Sequence, residues 1–498
     1  MELYDTLKSY DQDHLLTYWN DLSAKEQSQL TQDIKKININ ELNGYVTRAL
    51  APVNNGHSNN IDQKMKPIPS EHFGSATDMN DENAKRWEVL GLEEISHDRI
   101  AVVLLAGGQG TRLGVKYPKG MYNVGLPSGK TLYQLQAERI RRLEQLAFEK
   151  TGKKGVIAWY IMTSEATKQQ TLDFFEQHSY FGLDKNNVIL FEQFTLPCVD
   201  FNKKIILAAK NKIATAPDGN GGLYRALREH GVLDDMSRRG VRATHVYCVD
   251  NILVKMADPV FVGFCREKGA DCGAKVVEKN HPDEAVGVVC LVDNVYQVVE
   301  YSEITSETAR LRTESGKLTF SAGNICNHFF TLDFLKNVCS LEQESQLYHH
   351  VAKKKIPYLN KDGKTVTPST PNGIKMEKFV FDVFKFSERF AVLEVKREDE
   401  FSPLKNADKP DGIGGDSNPR TSRWALMSLH HRLIASAGGQ IADQSGKVIT
   451  VEESCSNTER EYPVQVEISP LLSYAGEGLD NMVRNKTLPS PVHLTLQQ

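Results

Sequence analysis

Apolar positions at the start of the chain recur at helical spacing. Leu3, Leu7, Leu15, Leu16, Trp19 and Leu22 form one such set, and Ser23 with Glu26 makes a capping box that opens a further helix. The spacing predicts a helical arm over 1–50. From 51 to 97 the pattern is polar and is broken by Pro52, Gly56, Pro67, Pro69 and Gly74, which predicts a surface-wrapping segment or linker. The middle then changes period. Short apolar runs rich in β-branched residues at 100–105, 156–162, 244–249 and 275–278 alternate with longer helical patterns such as 131–146. That alternation is the mark of an α/β domain in which crossover helices join parallel strands. In the 131–146 helix, Leu132, Leu135, Ile140, Leu143 and Leu146 make an apolar stripe, while Glu138, Arg139, Arg141 and Arg142 are expected to face water. Beyond 406, a Gly/Asp-rich loop at 411–416 precedes a helix over 421–437, closed by Gly438-Gly439, and a hairpin turning at 443–447. The expected organisation is an N-terminal helical and wrapping region (1–97), a central α/β domain (98–405) and a small α+β C-terminal domain (406–498).

Composition narrows the partners. A chain of 498 residues suits about two or three domains. Lys plus Arg total 60 against 64 Asp plus Glu, so there is no global basic field to gather nucleic acid, and any polyanion site must be local. The apolar runs are far shorter than the roughly 18 to 20 residues of a bilayer crossing. Glu2, Asp5, Asp11 and Asp13 interrupt any secretory signal. Eight scattered cysteines without a CxxC pair read as reduced thiols in a cytoplasmic protein without zinc.

The chemistry-bearing feature is Leu104-Leu105-Ala106-Gly107-Gly108-Gln109-Gly110-Thr111-Arg112-Leu113-Gly114, directly after the first predicted core strand and followed by Tyr117-Pro118-Lys119-Gly120. Four glycines here let main-chain N–H groups approach an anion without Cβ obstruction. The plainer reading, a tight turn, needs fewer glycines and no adjacent cations. Known phosphate loops fit poorly. The dinucleotide fingerprint fails because Leu113 stands where its third glycine belongs. Gly125-Leu126-Pro127-Ser128-Gly129-Lys130-Thr131 is one residue short of a Walker A loop and reads as the start of a helix. Kinase elements are missing.

The loop, with Arg112 and Lys119 seven residues apart, resembles the signature of sugar-nucleotide pyrophosphorylases. The wider chain is similar to the eukaryotic UDP-N-acetylhexosamine (UDP-N-acetylglucosamine) pyrophosphorylases. The likeness runs through Met162-Thr163-Ser164, Ala216-Pro217-Asp218-Gly219-Asn220-Gly221-Gly222, Val249-Asp250-Asn251, Val299-Glu300-Tyr301-Ser302-Glu303, Ala322-Gly323-Asn324, Lys378-Phe379-Val380-Phe381-Asp382 and Ser402-Pro403-Leu404-Lys405-Asn406-Ala407-Asp408. One departure is Phe194 after Gln193, where a small residue, usually glycine, is expected. A positive φ there would strain so bulky a side chain.

The resemblance implies a Rossmann-like nucleotidyltransferase core with a mixed, mostly parallel sheet. It also implies transfer of uridylate from UTP to N-acetylglucosamine 1-phosphate, or N-acetylgalactosamine 1-phosphate, with release of pyrophosphate and with Mg²⁺ or Mn²⁺ as cofactor. Arg112, Lys119 and Lys405 would neutralise the reacting phosphates, although each alone, without the motif, reads more readily as a solvated surface charge. Asp250, at the carboxyl end of an apolar run, suits Mg²⁺, or else caps a helix or turn. Leu105, Ala106, Gly107, Gly108, Gln193 and Gly219 are implied to hold the nucleotide. Asn220, Gly287, Glu300, Tyr301 and Asn324 are implied to meet the sugar, with Glu300 on an alternating strand (295–301) equally readable as an exposed carboxylate. Phe379 and Phe381, two apart, would face one side of a strand and could wall an N-acetyl methyl, or simply pack in the core. Partners are small-molecule substrates, without nucleic acid or membrane, for a monomer or homodimer. A UTP-glucose-1-phosphate or broad UDP-sugar pyrophosphorylase shares the loop and lysines. A non-catalytic nucleotide-sugar binding protein would be expected to have lost Arg112, Lys119 or Asp250.

Overall fold

The structure is a computed structural model, and it describes residues 2–50, 61–77, 81–410, 415–455 and 461–496. Pro52, Gly56 and most of the 411–416 loop lie outside the described residues. Two compact units emerge, each assembled from separate stretches of chain.

The larger unit comprises Ile61–Glu192, His230–Asn337 and Phe384–Gln498. Its centre is a mixed sheet of eleven strands among the described residues. The strand Ile100–Leu105, buried at every position, pairs in parallel with Ala158–Thr163 on one side and with Ala243–Cys248 on the other. Val188–Glu192 extends the parallel set beyond Ala158–Thr163. The long strand Ala322–Thr331 then enters antiparallel between Ala243–Cys248 and Cys272–Glu278, and Phe390–Val395 returns parallel to Cys272–Glu278. The chain therefore leaves Ile100–Leu105 in one direction along the sheet and later returns on its other side. That reversal creates the crevice at strand carboxyl ends where open α/β sheets bind ligands.

Continuous burial explains the unbroken apolar strands, because both faces of the sheet are covered. The helix Leu132–Thr151 starts on a Thr131 cap that accepts from Gln134 N–H and ends at Gly152 in left-handed conformation. The expected solvent face of this helix is corrected by the structure, since Glu138, Arg139 and Arg142 are all buried. Glu138 receives Lys130 Nζ at 2.6 Å, Arg139 donates to the Val254 carbonyl at 3.1 Å, and Arg142 meets Glu477 at 2.9 Å. Chain from the C-terminal region covers the second face, so its charges are paired rather than solvated. The same contact accounts for Lys130: the residue that imitates a Walker lysine is committed to a carboxylate. The helix Pro419–Ser436 belongs to this covering layer and shares an apolar cluster with Leu113, Leu132, Leu135 and Leu253. The hairpin expected at 443–447 joins Gln440–Ala442 to Val448–Ile449.

The smaller unit comprises Met1–Asn60, Gln193–Glu229 and Val338–Val383. The helical arm is present as Glu2–Ser9, Ala24–Lys35 and Ile39–Leu50, and the Ser23–Glu26 capping box forms. Leu7, Leu15, Leu30, Ile34 and Val46 pack on Leu196, Val199, Ile205, Ile374 and Met376 from short strands. Among the described residues, no helix is long and apolar enough to cross a membrane.

Candidate functional site

In the larger unit, the glycine loop leaves the carboxyl end of Ile100–Leu105 and folds back on itself. Gly110 N–H donates to the Tyr117 carbonyl at 3.2 Å, while the Gly110 carbonyl accepts from Leu113 and Val115. A Cβ at Gly110 would stand 2.3 Å from Val115 Cγ2, and Gly114 has φ +78°, so these two positions require glycine for different reasons. At Gly108 nothing lies within 4 Å of a Cβ, which leaves open space above the loop. Ser164, just past the neighbouring parallel strand, donates from Oγ to the Gly107 carbonyl at 2.8 Å and fixes the loop's first turn.

Beside this loop a cleft of about 260 Å³ is lined by Gln109, Gly110, Thr111, Arg112, Leu113, Lys119, Asp250 and Lys405. Three stretches far apart in sequence thus deliver three cations and one carboxylate, a local charge of +2, in a molecule whose formal net charge is −4. Asp250 emerges two residues after Ala243–Cys248. Lys119 Nζ donates to the Leu404 carbonyl at 3.0 Å and stands 3.6 Å from Asp250 Oδ2, the two side chains being 17% and 21% exposed. Both are sheltered enough for their charges to act strongly and open enough to reach a ligand.

Lys405 reaches the cleft through a stitched seam. Leu404 N–H donates to the Asp250 carbonyl at 2.8 Å, and Ala407 N–H donates to the Arg112 carbonyl at 3.1 Å. Buried Asn251 donates from Nδ2 to the Glu400 carbonyl at 2.7 Å and accepts Ser402 N–H on Oδ1 at 2.9 Å. Glu400 in turn shares the buried Lys275 ammonium with Asp258, at 2.5 and 2.6 Å. Sequence reading missed this positioning work of Asn251 and Lys275. The only hint was an Asn directly after Asp250, since their partners are remote along the chain.

Asp250 is the carboxylate among the lining residues, accompanied by the Thr111 hydroxyl. This donor set fits Mg²⁺, which takes few protein oxygens and completes its shell with waters and substrate phosphates. Among the described residues no group of three or more His, Cys, Asp or Glu is arranged to hold a metal ion.

The same unit brings together three of the residues implied for the sugar. Asn324 N–H donates to the Gly287 carbonyl at 2.8 Å, and a Cβ at Gly287 would lie 2.9 Å from Glu300 Oε1. Tyr301 is 53% exposed. Asn324 Oδ1 also accepts Cys326 N–H at 3.1 Å within a β-bulge, where Lys275 pairs with Asn327 but Val276 pairs with Asn324. Cys326 has φ +55° there, and Cys248 donates to its sulfur at 3.2 Å. That hydrogen bond holds the Cys326 thiol below its ordinary pKa.

In the smaller unit, Gly219 has φ +85°, and a Cβ on it would strike the Lys378 carbonyl at 2.4 Å. Asn220 Oδ1 accepts Val380 N–H at 3.0 Å. Asp218 is buried with its Oδ1 unpartnered among the described residues, and burial pushes its carboxyl up to about 7. Phe194 follows half-buried Gln193 and lies under the Arg225 guanidinium, 4.6 Å from ring centroid to carbon. It is not among the residues of positive φ, so its backbone tolerates the bulk that the sequence departure brought into question. The expected strand geometry of Phe379 and Phe381 is corrected. The strand Gly373–Glu377 ends first, and Phe381 belongs to a 3₁₀ turn over Val380–Phe386. Asp382 Oδ2 accepts Phe379 N–H at 2.8 Å and bends the chain, yet the two rings still lie 5.2 Å apart, with His350 stacked on Phe379 at 4.2 Å.

A glycine loop at the switch of a mostly parallel sheet, facing a sheltered cluster of cations and one carboxylate, defines a nucleotidyltransferase class of site. Residues 22–454 match the family described as UTP--glucose-1-phosphate uridylyltransferase, and the chain belongs to that family. It is 52% identical to UDP-N-acetylhexosamine pyrophosphorylase-like protein 1 of Homo sapiens over 99% of this chain and 96% of that one. With UDP-N-acetylglucosamine pyrophosphorylase of Saccharomyces cerevisiae it shares 39% identity, covering 94% of each. The crystal structure of the Trypanosoma brucei uridine diphosphate N-acetylglucosamine pyrophosphorylase in complex with inhibitor superposes with a TM-score of 0.81 at 30% identity, covering 96% of this chain and 94% of that one. A Leishmania major UDP-glucose pyrophosphorylase shares the fold, with a TM-score of 0.56 at 17% identity over 90% of this chain and 85% of that one.

Proposed function

We propose that the chain transfers uridylate from UTP to N-acetylglucosamine 1-phosphate, or to its N-acetylgalactosamine counterpart, yielding the UDP-N-acetylhexosamine and pyrophosphate. The observation that carries this reading is the cleft in which Arg112, Lys119 and Lys405 converge around Asp250 beside the glycine loop. The sugar phosphate is already anionic at neutral pH, so its attack on the α-phosphorus needs no general base. The work left to the protein is to hold two repelling anions in line and to neutralise charge at the leaving pyrophosphate. Arg112, on the loop, faces the leaving phosphates. Lys119, steadied by the Leu404 carbonyl, serves the α-phosphate and the attacking oxygen. Lys405, the third cation lining the cleft, serves the same phosphates. Asp250 with substrate oxygens would hold Mg²⁺ or Mn²⁺, which when bound adds charge neutralisation at the phosphates.

Gln193 and Gly219, with the backbone of Leu105, Ala106, Gly107 and Gly108, are assigned to the uridine end. Asn220, Gly287, Glu300, Tyr301 and Asn324 are assigned to the sugar. The Phe379–Phe381 ring pair offers an apolar seat for the acetyl methyl, worth about 1 to 3 kcal/mol of discrimination against plain hexose phosphates. The reading implies a cytoplasmic enzyme feeding glycan and chitin synthesis. The test is pyrophosphate release from UTP and Mg²⁺ against a panel of sugar 1-phosphates. The expected result is a kcat/KM at least tenfold higher for N-acetylated substrates. A preference for glucose 1-phosphate would move the assignment to the activity in the matched family's description, and no release with any sugar would refute catalysis.

A further inference from the structure

Two thiols meet at the strand end from which Asp250 emerges. Cys248 is the last residue of the strand Ala243–Cys248, and Tyr247 pairs with Asn327 on the antiparallel neighbour. The next position along that ladder sets Cys248 opposite Cys326, and the sulfurs lie 3.2 Å apart. Both residues are partly exposed, whereas Cys198, Cys265, Cys272, Cys290 and Cys339 are buried and Cys455 is exposed elsewhere. The β-bulge turns Cys326 toward its partner and holds it at φ +55° through the Asn324 side chain. Each cysteine is also tied to groups assigned to the reaction: Asp250 follows Cys248 by two residues, and Asn324 is hydrogen-bonded to the Cys326 amide.

We infer that Cys248 and Cys326 form an oxidation site, closed by a hydroperoxide into a disulfide that switches uridylyl transfer off. The coupling to turnover rests on the function proposed above. In the first step the Cys326 thiolate attacks one peroxide oxygen; an S–O bond forms, the O–O bond breaks, and hydroxide leaves and is protonated to water. In the second step the Cys248 sulfur attacks Cys326. The S–S bond forms, the S–O bond breaks, and the departing hydroxide takes the Cys248 proton as a second water. Two thiols are oxidised and one hydrogen peroxide is reduced to two waters. Closing 3.2 Å to a bond of about 2 Å brings the sulfurs together by roughly 1 Å, and the part that side-chain rotation does not absorb is passed to the strand end from which Asp250 emerges. A shift of that size at reacting groups costs about a hundredfold in rate.

The experiment treats the full-length protein with hydrogen peroxide, on a Cys455→Ser background, and follows peptide linkage and pyrophosphate release together. The expected result is a Cys248–Cys326 linked peptide under non-reducing conditions, activity reduced at least tenfold, and recovery of both with dithiothreitol. Cys326→Ser and Cys248→Ala should keep untreated activity and lose peroxide sensitivity. No linkage in the treated Cys455→Ser protein, a linkage that leaves activity unchanged, or a peroxide-induced loss of activity in the two variants as large as in their Cys455→Ser parent would each overturn the inference. Protein inactive before treatment would defeat the proposed function and the switching of turnover with it, and the linked peptide would still decide whether the pair is an oxidation site.

Discussion

Lys119 and Arg112 test the chemistry most locally. Each contributes charge to a cleft whose walls are also held by main-chain hydrogen bonds and by the Asn251 side chain, so the loss of one cation, including the Lys119 contact to the Leu404 carbonyl, leaves most of the seam in place. Arg112→Ala and Lys119→Ala should lower kcat/KM for pyrophosphate release by about 10² to 10³-fold, while thermal midpoints stay within a few degrees. Near-wild-type kcat/KM in both variants would remove them from the reaction. Asp250→Asn keeps the size of the side chain and deletes its negative charge, so the Mg²⁺ concentration for half-maximal activity should rise at least tenfold; an unaltered metal titration would take Asp250 out of the metal site. Asp218 makes a different prediction, in stability. Its folded pKa, about 7, lies above that of the unfolded chain, so the folded state holds the proton more tightly. The associated stability is fully present below the unfolded value near 4 and is lost as pH rises through about 7, at up to about 1.4 kcal/mol per pH unit. Asp218→Asn should therefore raise the thermal midpoint more at pH 8 than at pH 4. An equal change at both values would show that Asp218 ionises normally.

Elements in this chain are joined by close backbone approach as much as by side chains. The helices Glu82–Ser96 and Pro259–Glu267 meet where a Cβ on Gly263 would stand 1.8 Å from the Trp87 carbonyl and one on Gly91 2.0 Å from that of Pro259. Gly263→Ala should lower unfolding free energy by about 1 to 3 kcal/mol, seen as a reduced urea midpoint; an unchanged midpoint would mean that the helices separate without cost. Nothing in the sequence marks these two glycines, because the contact joins segments far apart. The strand Ile100–Leu105 was legible, since six consecutive apolar residues before a glycine loop admit few other readings. The Leu132–Thr151 helix was legible in its period but not in its burial, because Arg142 and Glu138 are satisfied by Glu477 and Lys130, partners outside the helical window. Phe379 and Phe381 misled for a related reason: an Asp382 turn ends the strand, and a two-residue alternation cannot reveal that.

At the scale of the whole molecule, the placement of Lys405 shows why motif blocks scattered over the sequence could be recognised while their geometry could not. The seam of Asn251, Glu400 and Ser402 carries it to Asp250 across some 150 positions of chain, and only folding brings them together. The charge concentrated there is the central claim, namely that the cleft beside the glycine loop grips the phosphates of a uridine nucleotide. Titration calorimetry of UTP into the folded protein with Mg²⁺ tests it most directly. The account predicts saturable uptake at one site, weakened at least tenfold in Lys119→Ala and Arg112→Ala. Absence of uptake by the wild-type chain, or equal affinity in all three proteins, would contradict it.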